Sequence, residues 1–104
     1  MDVIVLPQCR REIEDFPEEV VGEVLDSIAR LRAGLMLSMP LSRPMPSLGK
    51  GLHELRLKDR SGQYRVIYLV RSADAIYLVH AFIKKTEKTS QRNVDVALKR
   101  IAQI

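Results

Sequence analysis

The clearest hydrophobic pattern lies between Gly51 and Lys85, where apolar and polar positions trade places along extended runs. Residues 53–58 set Leu55 and Leu57 against Glu54, Arg56 and Lys58. Residues 63–71 are rich in β-branched and aromatic side chains: Tyr64, Val66, Ile67, Tyr68 and Val70. Residues 75–84 add Ile76, Tyr77, Val79, Phe82 and Ile83. Asp59-Arg60-Ser61-Gly62 and Ser72-Ala73-Asp74 have turn chemistry. The pattern predicts three consecutive antiparallel strands. A three-stranded meander exposes both faces, so the flanking segments must cover it.

Those segments carry helical and short-strand signals. Residues 2–6 form an apolar run ending at Pro7, which predicts a strand buried on both faces or joined to the sheet at a covered position. Pro7 opens a short helix with Cys9, Ile13 and Phe16 on one face and Arg10, Arg11, Glu12 and Glu14 toward water. Pro17 opens a second helix whose stripe is Val20, Val21, Val24, Leu25, Ile28 and Leu31. Asp15, Glu18 and Glu19 near its start, and Arg30 and Arg32 near its end, suit the helix dipole; Gly34 is its stop. Residues 35–50 have no period, and three prolines keep them extended or turn-rich. There Leu37, Met39, Leu41 and Met45 are expected to pack on the sheet edge or under the helices. Thr89 is the expected cap of a last helix, residues 90–103, buried through Val94, Ala97, Leu98 and Ile101. The expected order is β-α-α-β-β-β-α, an α+β domain spanning residues 1–104. A helical hairpin takes one sheet face, and the terminal helix covers the other only in part.

Charge sharpens the picture. Residues 1–52 hold six Lys/Arg against eight Asp/Glu, whereas residues 53–104 hold eleven against five. The sheet half is therefore cationic, and a half-covered cationic face suits an anionic partner. Neither a signal-peptide pattern nor a stretch of membrane-spanning length is expected, and the single Cys9 fits a cytoplasmic protein in which it is a small core residue.

Strand polar residues are the candidates for chemistry. Arg65 shares its face with Ile67 and Leu69. It is either paired with an acid such as Glu54 or aimed at an anion. Antiparallel pairing can bring Arg56, Arg65 and Lys84 or Lys85 to one phosphate, with Lys58 and Lys88 nearby. His53 and His80 are a possible base and acid, although His80 also reads as a hydrogen-bonded structural residue. No spacing suits a metal site or a phosphate-binding glycine loop, so chemistry without metal or cofactor is expected.

The runs GLHELR, YRVIY and FIKKTEKT resemble the phage-derived Gp49-like branch of the RelE/ParE toxin superfamily, close to the HigB toxins. The likeness extends along essentially the whole chain and is loosest at residues 35–47. It implies a RelE-like fold and the toxin of a type II toxin–antitoxin pair. The implied partners are a cognate antitoxin, often with a helix-turn-helix domain and forming a hetero-oligomer with the toxin, and the ribosome with its messenger RNA. No membrane partner is implied. RelE- and HigB-like members cut messenger RNA by attack of the ribose 2′-OH, without a metal. ParE-like members instead poison DNA gyrase, and a non-toxic antitoxin-binding homologue is a further alternative. By position, Arg65, Arg56, Lys85 and Lys84 match catalytic places, and Lys58, Lys88, His53 and His80 are RNA-binding candidates. Residues 90–104 lack the tyrosine that RelE proteins carry near the C-terminus, which leaves lysine, His53 or His80 as the base, or a different target.

Overall fold

The computed structural model describes residues 1–72 and 74–104. The turn expected at residues 72–74 thus falls partly outside the described residues, at Ala73. In chain order the elements are β1 (Asp2–Val5), α1 (Pro7–Glu14), α2 (Glu18–Arg32), β2 (Ser42–Pro44), β3 (Leu52–Asp59), β4 (Gly62–Val70), β5 (Ala75–Lys84) and α3 (Gln91–Ile101). They build one five-stranded sheet in the order β1-β5-β4-β3-β2, parallel only between β1 and β5. This is the expected α+β, RelE-like arrangement, with β2 as an added strand.

The meander forms where its alternation and turns require. Asp59 Oδ1 accepts from the backbone N–H of Ser61 at 2.8 Å and of Gly62 at 3.2 Å, closing the β3–β4 hairpin. Gly51 leads into β3 at φ +80°, and a Cβ there would collide with the Val70 carbonyl oxygen. Only glycine permits both that conformation and that approach.

The two faces differ as expected. On one, α1 and α2 bury Cys9, Ile13, Val20, Val24, Ile28 and Leu31 against Leu55, Leu57, Tyr64, Val66, Tyr68 and Leu78. Each fully buried aliphatic here contributes roughly 1.5–3 kcal/mol. On the other, Ala97 and Ile101 of α3 pack with Leu52, Ile67, Leu69, Val79 and Phe82. A bulge at Ile67/Tyr68 shifts the β4–β5 register, so that Ile67 pairs with His80 but Tyr68 with Leu78. Val79 is the extra residue, and it joins His80 on the α3 face.

Several local expectations need correction. The strand at β1 is an edge strand with Ile4 exposed, because only β5 flanks it. Residues 42–44 pair with β3, a three-residue strand too short to show a period. Met39 is exposed, whereas Leu37, Leu41 and Met45 pack as expected. The cap of α3 is Ser90, whose Oγ accepts from Asn93 N–H at 3.3 Å; Thr89 is engaged elsewhere. Leu98 is exposed, and Ala97 is the fully buried residue of α3. Glu12 is half-buried and turns from solvent toward β5 and α3, to Ala81 and Arg100.

Candidate nucleic-acid interface

Cross-strand partners share a face, so the register sets out the polar face as three rows. The first is Arg43, Glu54, Ile67 and His80. The second is Arg56, Arg65 and Phe82, and the third Lys58, Gln63 and Lys84. The strands thereby gather Arg43, Arg56, Lys58, Arg65 and Lys84 on one surface. The cover from α3 ends before it.

Arg65 is the buried centre of this set. It is 3 % exposed, and its Nε stands 3.5 Å from Oε1 of Glu54, itself 2 % exposed. Nη1 donates to the Tyr64 carbonyl at 3.0 Å and Nη2 to Gln63 Oε1 at 3.0 Å. Nε has no hydrogen-bond partner among the described residues. Burial pulls the guanidinium pKa down, Glu54 opposes this, and Arg56 adds to it. Glu54 Oε2 in turn accepts from Thr89 Oγ1 at 2.6 Å. One carboxylate thus ties the arginine to the segment between β5 and α3. Of the two readings of Arg65, the pair with Glu54 describes its geometry, although the side chain still reaches a cavity wall.

The accessible cations surround that core. Arg56 and Lys84 are half-buried, and Arg43, Lys58, Lys85 and Lys88 are exposed. Lys84 has its pKa lowered by burial and then by the positive charges of Arg65, Arg56 and Arg43, with Glu54 acting the other way. Two hollows adjoin here. Pro40, Leu41, Arg56, Leu57, Lys58, Gln63 and Arg65 line one of about 400 Å³. The second holds Arg56, Gln63, Lys84, Lys85 and Thr86 with one acid, Glu87, and shares Arg56 and Gln63 with the first. A third, of about 480 Å³, continues from Lys84 and Lys85 past Lys88 to Arg92 and His80. The result is a continuous cationic path over the ends of the strands.

The histidines do not meet. His53 lies on the helical-hairpin face, stacked on Tyr68 with ring centroids 5.1 Å apart, and burial lowers its pKa. His80 is on the opposite face, stacked on Phe82 at 5.1 Å. Its Nε2 is 2.7 Å from Asn93 Oδ1, and its Nδ1 is 3.2 Å from both Glu12 Oε1 and Arg100 Nη1. Both ring nitrogens are thus engaged in a cluster joining α1, β5 and α3.

Glu12 organises that cluster. It accepts from Arg100 Nη1 at 2.7 Å, from Arg100 Nη2 at 3.1 Å and from Ala81 N–H at 3.1 Å. The last bond satisfies a β5 edge amide beyond the end of β1. Burial by itself would raise the Glu12 pKa, but hydrogen bonds from His80, Arg100 and Ala81 prevail and hold it at about 2. Cys9 beneath it is pushed up to about 12 by burial and by Glu12, against the influence of Arg100. Its thiol is protonated at neutral pH, as suits a core residue.

Sequence patterns missed two contributors. Arg43 sits in a strand of three residues, and Gln63 is an unremarkable amide until Arg65 is seen to orient it. Among the described residues no cluster of three or more His, Cys, Asp or Glu could hold a metal ion, and no helix is long and apolar enough to cross a membrane.

The fold and the cationic face together define an α+β protein of RelE-like architecture with an open, basic sheet surface. Residues 11–102 match the family described as phage derived protein Gp49-like (DUF891), and the chain belongs to that family. No curated protein matches it.

Proposed function

We propose that this chain is the toxin of a type II toxin–antitoxin pair and cuts messenger RNA on the ribosome. The observation that carries the reading is the gathering of Arg56, Lys84 and Arg43 around buried Arg65, on the sheet face that α3 leaves open. Membership of the Gp49-like family supports the toxin class.

The chemistry we assign follows from the charges. Arg56 carries the non-bridging oxygens of the scissile phosphate, with Arg65 behind it. Lys84, whose pKa is lowered, takes the proton of the attacking ribose 2′-OH in its neutral form. The 2′-oxygen bonds to phosphorus and the bond to the 5′-oxygen breaks. Lys85 gives that oxygen a proton, leaving a 2′,3′-cyclic phosphate and a 5′-hydroxyl. Lys58 and Lys88 hold neighbouring phosphates. The groove is shallow and its side chains are long, so positioning falls to the ribosome.

Induced expression in a bacterium tests this reading. Growth should stop and translated messages should acquire new 5′ ends at fixed codon positions. Co-expression of the cognate antitoxin should restore growth. Intact messages alongside gyrase-linked DNA breaks would overturn the proposal in favour of a ParE-like activity.

A further inference from the structure

We propose that the hollow at the β3 edge is a guanine subsite, with Gln63 as the residue that reads the base. This rests on the RNA-cleaving reading, because it assigns the nucleotide beside the scissile phosphate. Pro40, Leu41 and Leu57 give the hollow an apolar wall, and its volume of about 400 Å³ falls within the usual range for small-ligand sites. Arg56 and Gln63 belong both to this hollow and to the neighbouring one that contains Lys84 and Lys85. A base in the first therefore adjoins a phosphate in the second.

The direction of the amide supplies the selectivity. Gln63 Oε1 accepts from Nη2 of Arg65 at 3.0 Å, and Arg65 is itself buried and bonded to the backbone. The exposed carboxamide is therefore oriented from within the sheet. Its Nε2, which donates to no protein group among the described residues, is presented outward. The charged groups lining the hollow, Arg56, Lys58 and Arg65, are likewise donors only. Donors converging on one base favour an edge made of acceptors. Guanine offers two adjacent acceptors, O6 and N7, uracil offers only O4, and adenine and cytosine place an amine there. Bases in single-stranded RNA are free to turn that edge toward protein.

Titration of the ¹⁵N-labelled protein with the four nucleoside monophosphates and with ribose 5-phosphate tests the subsite directly. GMP should move the Gln63 side-chain amide resonances and bind roughly tenfold more tightly than AMP, CMP or UMP, and UMP binding as tightly as GMP would overturn the guanine assignment. Equal affinity for all five ligands would remove the base subsite while leaving the phosphate grip intact. Gln63→Glu keeps an acceptor for Arg65 but turns the outward donor into an acceptor. It should lose the preference for GMP and gain one for AMP and CMP. Gln63→Met keeps the bulk without any donor, and should flatten the preference. In cleavage maps, cuts should be enriched for guanine at one flanking position, and Gln63→Glu should abolish that enrichment. An unchanged cut pattern in an active Gln63→Glu protein would overturn the assignment. A wild-type protein that cuts no RNA would sink the function proposed above, and the mononucleotide titration would still decide the base.

Discussion

Glu54 and Arg65 form an ion pair inside the sheet, 3.5 Å apart on adjacent strands, each almost wholly withdrawn from water. Taking two charges out of water is costly, and a well-packed apolar pair can be equally stable. Removing one partner alone is worse, because the other stays buried and uncompensated. Arg65→Met alone is thus expected to cost on the order of 3–5 kcal/mol and to lower the melting temperature markedly. The double change Glu54→Met with Arg65→Met should recover most of that loss. A double-mutant cycle from urea denaturation measures it, and additive single effects would show that the pair is not coupled.

Glu12 predicts an acid limit to stability. Its folded pKa of about 2 lies below the ordinary 4.5, so the folded state favours the carboxylate. The stabilisation is complete above the unfolded pKa and is lost as pH falls from about 4.5 toward 2. A gap of this size corresponds to on the order of 3 kcal/mol. Glu12→Gln should be destabilised at pH 7 and should converge with the wild type toward pH 2. Thermal melts across that window check this, and a constant difference between the two proteins would rule the linkage out.

Lys84 predicts the pH dependence of cleavage. If its neutral amine takes the 2′-OH proton, the rate should rise with pH until the amine is fully deprotonated. Lys84→Arg keeps the charge but cannot give up its proton near neutrality. It should bind RNA normally and cut roughly a hundredfold more slowly. Arg43→Gln removes one of the positive charges that depress the Lys84 pKa, and should move the rising limb toward higher pH. A limb that stays in place in Arg43→Gln would separate Lys84 from the titrating step.

Much of the fold was legible because its periods are long. The meander, the helical hairpin and the partial cover by α3 all follow from alternation, helical stripes and turn residues. The bounds of β5 agree with those expected. Short or displaced features were not legible. β2 spans three residues, too few to repeat a pattern. The bulge at Val79 breaks the alternation that would assign His80 to a face. Glu12 looked like a surface acid because its partners Arg100 and Ala81 are far away in sequence.

The same division holds for the site. Strand register brings Arg56, Arg65 and Lys84 together, as the sequence suggested, and separates His53 from His80. Side-chain burial is what sequence could not supply. Arg65 fitted both an anion-facing cation and an ion pair, and only the positions of Glu54 and Thr89 show its pairing. Its effect on Gln63 is equally invisible in one dimension.

The most direct test uses purified protein and ribosomes carrying a defined message, comparing wild type with Arg56→Ala under single-turnover conditions. Arg56 is half-buried and takes no part in the Glu54–Arg65 pair, so its loss should leave the melting temperature close to that of the wild type. The wild type should cut the message and leave a 2′,3′-cyclic phosphate, and the folded Arg56→Ala protein should cut roughly a hundredfold more slowly. A 3′-hydroxyl product, or a folded Arg56→Ala protein that cuts at the wild-type rate, would contradict the assignment of chemistry to this cationic face.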